Sequence, residues 1–147
     1  MKKIIFAIAT LALILGSCRS NSAVSSQEVK FKNADGYFFR NDRTVPDKPL
    51  VMTSKEQLED NFGYAATMAF HPTEIDFANF AAIGIVVPPA NQETDIVVKS
   101  VTKQSDNTLL VTYKVKKGSK LSYTIQPLKI VTIPKSLLLP NVISKEE

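Results

Sequence analysis

Apolar and polar residues alternate along most of this chain with the two-residue period of β-strands. The clearest example is Thr108–Lys116, in which four apolar side chains share one face while Thr and Lys residues share the other. A continuous apolar run, Phe80–Val87, is followed by two prolines, which favours a strand covered on both faces. Asp95–Lys103 and Ile130–Ile133 are rich in β-branched residues and predict two further strands.

Turn signals separate these predicted strands. Gln104–Asn107 predicts one turn, and Lys117–Ser119 predicts a second turn, after which Leu121–Ile125 returns as a strand. Earlier in the chain, Val29–Lys32 predicts a short edge strand and the consecutive aromatics Tyr37–Phe39 predict another strand. Tight turns between consecutive strands indicate an antiparallel meander.

One short helix is predicted before the long strands. Ser54 and Gln57 form a capping box, in which each side chain bonds the backbone amide of the other residue. Gly63 supplies the left-handed residue that ends many helices, so the helix is predicted over Lys55–Phe62, with Leu58 and its last residue buried. The fold class is therefore α+β: an antiparallel sheet of about five to six strands, a meander, packed against one short helix.

The amino terminus is typical of an exported lipoprotein. Two lysines precede Ile4–Leu15, a twelve-residue apolar stretch that is too short to span a bilayer. The following Leu15-Gly16-Ser17-Cys18 resembles the bacterial lipobox, whose cysteine is acylated and becomes the first mature residue. We therefore expect a signal peptide over residues 1–17, cleavage between Ser17 and Cys18, and membrane attachment through lipidated Cys18, the chain's one cysteine.

The rest of the chain divides into a tether, one domain and a tail. Residues 18–27 hold the lipidated cysteine and a Ser-rich flexible tether, residues 28–136 form a single α+β domain, and residues 137–147 form a C-terminal tail. The chain has 147 residues, which suits one domain. Arg19 is not the aspartate associated with inner-membrane retention, so a periplasm-facing or surface location on the outer membrane is favoured.

Charge is distributed unevenly along the domain. Of the 18 basic side chains, eight lie between Lys99 and Lys135, whereas acidic residues dominate Glu28–Val98. A cluster of lysines is a candidate basic patch for lipid head groups or an acidic partner, and the alternative is a solvated strand face protected against edge pairing. Nucleic acid is not expected as a partner, because no basic-aromatic motif is present. The candidate basic patch consists of Lys114, Lys116, Lys117 and Lys120.

Residues with catalytic or metal-binding chemistry are sparse. His71 precedes a proline and is expected to be structural, and Glu74 with Asp76 does not match a calcium loop. Asp76 and Phe77 are instead predicted to form a structural corner, in which the carboxylate caps a turn. No phosphate-binding glycine loop or nucleophile elbow is present, so we expect no cofactor, no metal site and no enzymatic activity.

Aromatic residues beside an arginine are the most prominent candidates for binding. Tyr37, Phe39 and Arg40 are candidate partner-contact residues, because aromatics and Arg are common anchors of protein interfaces. The alternative interpretation is a core strand that ends in a charged residue. A further hypothesis is a small-ligand or glycan binder, which requires Tyr37 or Phe39 to line a groove.

The order of these features resembles the PrcB-type C-terminal domain of small envelope lipoproteins, including a subunit of a chymotrypsin-like protease complex, and also resembles Bacteroides-type lipoproteins. The resemblance covers Tyr37 to Lys135 and implies an accessory, non-catalytic envelope protein that assembles with or modulates a peptidase. Pro88 and Pro89 replace the Gly-rich segment of that family. The alternatives are a periplasmic small-ligand or glycan binder and an enzyme of unrecognised type. The residues that carry the resemblance are Tyr37–Asn41, Ser54–Gln57, Phe62-Gly63, Ile75–Phe77, Leu110–Tyr113 and Tyr123–Pro127.

Overall fold

A computed structural model describes residues 26–147 of the chain. The predicted signal peptide, the predicted cleavage between Ser17 and Cys18 and the predicted lipidation of Cys18 lie outside the described residues. Within residues 26–147, the secondary structure consists of ten strands, one α-helix and a 3₁₀ turn. In chain order these are β1 (Gln27–Glu28), β2 (Lys32–Ala34), β3 (Tyr37–Phe39), β4 (Leu50–Met52), α1 (Lys55–Asn61), β5 (Phe62–Tyr64), β6 (Phe80–Val86), β7 (Ala90–Lys103), β8 (Thr108–Ile125), β9 (Leu128–Pro134), the 3₁₀ turn (Lys135–Leu137) and β10 (Asn141–Glu146).

The strands form two four-stranded sheets and a two-stranded ribbon. One sheet has the order β1-β7-β8-β10, the second has the order β2-β9-β6-β4, and the ribbon pairs β3 with β5. All pairs are antiparallel except β8 with β10, which is parallel. The α+β class is confirmed, whereas the expectation of one meander of five to six strands is corrected, because the chain crosses repeatedly between two sheets.

Strand β6 lies at the centre of the molecule and is covered on both faces, as its continuous apolar run predicts. Ile83 and Ile85 face the first sheet and belong to one core cluster. Ala82 and Val86 face the opposite way and belong to a second cluster with Leu58 of α1. Because side chains alternate across a strand, only an unbroken apolar sequence can fill two cores at once.

Helix α1 begins as the capping signal predicts but ends differently. The Ser54 hydroxyl accepts a hydrogen bond from the Gln57 amide at 3.3 Å, while the Gln57 side chain bonds the amide of Thr53 rather than that of Ser54. The prediction that Gly63 ends the helix is wrong. Phe62 is the C-cap in an extended conformation, and Gly63 lies within strand β5. Strand β5 begins directly after the helix, so the chain turns into an extended conformation without a left-handed glycine.

Strand β8 is longer than the sequence indicates. The predicted turn at Lys117–Ser119 is wrong, because β8 continues through it and remains paired with β7. The register shifts there: Thr94 pairs with Lys117 and Gln92 pairs with Lys120, so β8 carries one extra residue. A glycine inside a strand often marks such a bulge, and its sequence signature is difficult to distinguish from that of a turn.

The carboxyl terminus completes the first sheet. Residues 137–147 were expected as a tail, yet β10 pairs in parallel with β8 along six residues, from Asn141 opposite Thr108 to Glu146 opposite Tyr113. Val142 is buried and joins the first core cluster. Strand β10 itself has only two apolar residues, Val142 and Ile143, and a parallel partner distant in sequence gives no local signal, so the domain extends beyond its predicted end at residue 136.

Candidate functional site

The β3–β5 ribbon presents aromatic side chains on two opposite faces. Tyr37 and Phe39 point inward, and the ring of Phe39 packs edge-on against Phe62 with centroids 5.7 Å apart. Phe39 is 4% exposed, which corrects its assignment as a partner-contact residue. Phe38 points outward and is 47% exposed. Because side chains alternate across a strand, the exposed aromatic residue is Phe38, one position before the predicted contact residue Phe39.

Three exposed apolar side chains, one on the ribbon and two in the segment that directly follows it, form what we call the aromatic patch: Phe38, Met68 and Phe70. The Phe38 ring lies directly over Gly63, its cross-strand partner. Phe70 lies against Gly36, whose φ of +90° is the left-handed conformation that glycine tolerates. Met68 occupies the turn before Phe70 and is fully exposed. The patch thus combines two half-exposed rings with a flexible thioether.

A small cavity of about 250 Å³ lies on the other side of the ribbon. Tyr37 and Tyr64 line it, with ring centroids 5.6 Å apart. The Tyr64 hydroxyl donates to Glu59 at 2.9 Å, and desolvation with this carboxylate raises the pKa of Tyr64 to about 12. The Tyr37 hydroxyl donates to the backbone carbonyl of Thr73; burial, with the nearby Glu74 charge, raises the pKa of Tyr37. Both phenols are therefore neutral donors that hold the ribbon in place.

Arg40 follows the ribbon and forms an ion pair with the nearby Asp42. Its Nε lies 3.1 Å from Asp42 Oδ1, and the Arg40 hydrogen bond lowers the pKa of the Asp42 carboxyl. Both side chains are exposed, so the pair is readily exchanged for a partner carboxylate. Among the three predicted contact residues, Arg40 alone is exposed, Tyr37 is half-buried and Phe39 is buried.

Asp76 and Phe77 lie at the corner that leads into β6. Asp76 accepts a hydrogen bond from the amide of Ala78 at 2.9 Å and from the side chain of Asn79 at 2.6 Å. The Asn79 bond, with that from Ala78, lowers the pKa of the Asp76 carboxyl. Phe77 packs against the second core cluster. The carboxylate therefore closes a turn while its aromatic neighbour anchors the turn to the domain.

His71 and Glu74 lie in the exposed segment between Phe70 and that corner. Over residues 26–147, no three His, Cys, Asp or Glu side chains come together as metal ligands. Every buried side-chain nitrogen and oxygen in this part of the chain has a hydrogen-bond partner.

The candidate basic patch lies along β8 rather than around a turn. Val115 pairs with the buried Ile96, so its face of the strand points inward and Lys114 and Lys116 point outward. Lys117 and Lys120 flank the bulge and are exposed. The four ion pairs found in residues 26–147 involve none of these lysines.

Sequence reasoning missed Met68, Phe70 and Tyr123 as exposed apolar residues. Met68 is fully exposed, Phe70 is 45% exposed and Tyr123 is 62% exposed. The sequence does contain a signal for the exposure of Met68 and Phe70. The segment Ala65–Phe70 is rich in apolar residues but lacks the length and periodicity of a core strand.

The described part of the chain begins at one end of the first sheet. Gln27 of β1 pairs with Lys103 at the end of β7, beside the β7–β8 turn.

In the part of the chain that the structure describes, no helix has the length and apolar character needed to cross a bilayer. Comparison with known proteins yields no match to a family model, to a curated protein or to a solved structure.

Proposed function

We propose that this chain is a lipid-anchored lipoprotein of the bacterial cell envelope, favoured on the outer membrane, that acts as a non-catalytic binding module. The aromatic patch docks a protein partner, and the resemblance to PrcB-type domains suggests that this partner is a peptidase. The observation that carries the proposal is the exposure of Phe38 on a packed ribbon and of Met68 and Phe70 in the segment that directly follows the ribbon.

The composition of the patch suits a protein interface. Aromatic residues and Met are enriched at the centres of interfaces, and a few such anchors supply most of the binding free energy. Met68 is unbranched and polarizable, so it can adapt its shape to a partner surface. Arg40, which follows the ribbon, adds a charged group of the kind that interface rims use.

The support beneath the patch also favours binding. Phe39 and Phe62 anchor the ribbon in the second core cluster, and the tyrosine hydroxyls tie its inner face to Glu59 and Thr73. A surface held in one conformation loses less entropy on association than a mobile loop does.

The lipid anchor would restrict the search for a partner to the membrane surface. A tether of about nine residues with Ser-rich composition reaches roughly 15–18 Å, so the domain stays close to the bilayer. Attachment through Cys18 raises the effective concentration for any partner held on the same membrane.

The proposal is tested by purifying the full lipidated chain from detergent-solubilised envelopes after mild crosslinking. We expect one protein, a peptidase, to be recovered with the wild-type chain and to be lost with Phe38→Ala and Met68→Ser combined. Tyr123→Ala is the matched control, because it removes an exposed aromatic elsewhere and should leave recovery unchanged.

Two results would contradict the proposal. One is recovery of the chain alone under every crosslinking condition. The other is undiminished recovery of the partner after the aromatic patch is removed while the control variant loses it.

A further inference from the structure

An open groove of about 500 Å³ lies on the β7–β8 hairpin, away from the aromatic patch. It is formed where the two strands lose their regular register, between the pairs Thr94–Lys117 and Ala90–Ile125. Residues 121–124 of β8 face a single residue of β7 across this irregular stretch, so the strand bows outward. The groove lining includes Glu93, Asp95, Lys116, Lys117, Leu121 and Tyr123.

The floor of the groove is fixed by two hydrogen bonds around Gly118. The Gln92 side chain donates to the Gly118 carbonyl at 2.6 Å, and the Ser119 amide donates to Glu93 Oε2 at 3.2 Å. A Cβ on Gly118 would lie 2.5 Å from Glu93 Oε2, so glycine allows the glutamate to lie flat over the bulge. These contacts hold the bulge in a defined shape.

The exposed groups of the groove have complementary chemistry. Tyr123 is 62% exposed and offers an aromatic surface with a hydroxyl at its edge, and Leu121 extends the apolar area. Lys116 and Lys117 carry exposed ammonium groups that take part in none of the four ion pairs found in residues 26–147. Asp95 lies opposite Lys116 on the neighbouring strand β7.

We propose that this groove binds an anionic polysaccharide. The tyrosine ring stacks on the apolar C–H face of a sugar ring, the lysines pair with carboxylates on the saccharide, and the carboxylate of Glu93 accepts hydroxyl donors. Lys114 precedes the groove along β8 and Lys120 lies beside it, giving four lysines against two carboxylates. A groove open at its rims suits a chain rather than a small molecule.

The position of the groove favours a polysaccharide over the anchoring bilayer. Asp95 lies eight residues before Lys103, which pairs with Gln27 where the tether enters, so the two ends are separated by roughly 26 Å along β7. The site therefore lies away from the attachment point. This site is independent of the aromatic patch and of the protein partner proposed for it.

Titration calorimetry on the full chain in zwitterionic detergent tests this proposal, with a galacturonate hexasaccharide as the probe. We expect saturable binding that weakens with added salt, and no binding of a neutral galactose hexasaccharide. Tyr123→Ala should weaken binding about tenfold through the lost aromatic contact. Lys116→Gln with Lys117→Gln should weaken it roughly tenfold, as two exposed ion pairs would.

Matched controls separate this site from general charge and from the aromatic patch. Lys30→Gln with Lys48→Gln removes two exposed lysines elsewhere and should leave affinity unchanged, as should Phe38→Ala. The proposal is overturned by absence of binding to the uronate probe, or by equal loss in the control lysine variant. It is also overturned if Tyr123→Ala has no effect, or if phosphatidylglycerol vesicles compete through the same lysines more strongly than the saccharide does.

Discussion

The contact between Phe38 and Gly63 allows the aromatic patch to be disturbed without removing any of its apolar residues. A Cβ placed on Gly63 would overlap Cζ of Phe38 and lie 2.6 Å from its Cε1, whereas ordinary contacts begin at 3.4 Å. Gly63→Ala therefore forces the ring to retreat by more than about 0.8 Å, since Cζ is nearer still. Gly63 has no positive φ, so the backbone itself accepts alanine.

The energetic cost follows from the surface that the ring buries. Phe38 is 47% exposed, so about half of its surface is covered, mainly against Gly63 and the ribbon. Uncovering roughly 50–100 Å² at about 25 cal/mol per Å² costs about 1–2.5 kcal/mol of unfolding free energy. Partner recovery should fall together with stability, because the ring no longer occupies its position in the patch.

Urea unfolding of a double-mutant cycle measures this effect. Gly63→Ala should destabilise the wild-type chain by that amount but be nearly neutral when Phe38→Ala is already present, because the clash has been removed. An equal cost in both backgrounds would refute the reasoning and place the strain in the backbone.

Further predictions concern the core, the corner and the anchor. Gly84→Ala puts a Cβ 2.8 Å from Phe62 Cζ in the closed second core, so urea unfolding should reveal a loss of about 1–3 kcal/mol; an unchanged midpoint would contradict this. The folded pKa of Asp76 lies below its unfolded value, so its contribution is present above about pH 4 and is lost as the pH falls through the folded pKa; midpoints at pH 7 and pH 3 should differ more for the wild type than for Asp76→Asn. Cys18→Ser should move the protein from the membrane fraction to the soluble fraction, and continued membrane retention in carbonate washes would exclude the lipid anchor.

Local patterns predicted the parts of the fold that depend on one segment alone. The apolar run of β6 indicated burial on both faces, and Ser54 indicated where α1 begins, because both signals lie within a few residues. The pairing of β10 with β8 joins residues about 33 positions apart and leaves no local trace. Gly118 indicates a turn in the sequence but lies at a bulge in the structure, because bulges and turns both use glycine for its conformational freedom.

The candidate site was predicted only approximately for a similar reason. The aromatic cluster was recognised, but the two-residue period does not say which of Phe38 and Phe39 faces solvent until the partner strand is known. The same limit applies to Phe70, whose position against Gly36 depends on how the segment after β5 folds back. Which of these aromatic side chains are exposed is therefore determined by how distant segments pair, and not by the local sequence.

Site-specific photocrosslinking tests most directly the claim that the aromatic patch docks a protein. A photoreactive phenylalanine analogue replaces Phe38 in the full chain, and separately replaces Tyr123 as an exposed control. We predict that illumination of intact cells links position 38, but not position 123, to one envelope protein. A chain that crosslinks from position 123 to that same protein while position 38 stays unlinked would contradict the account.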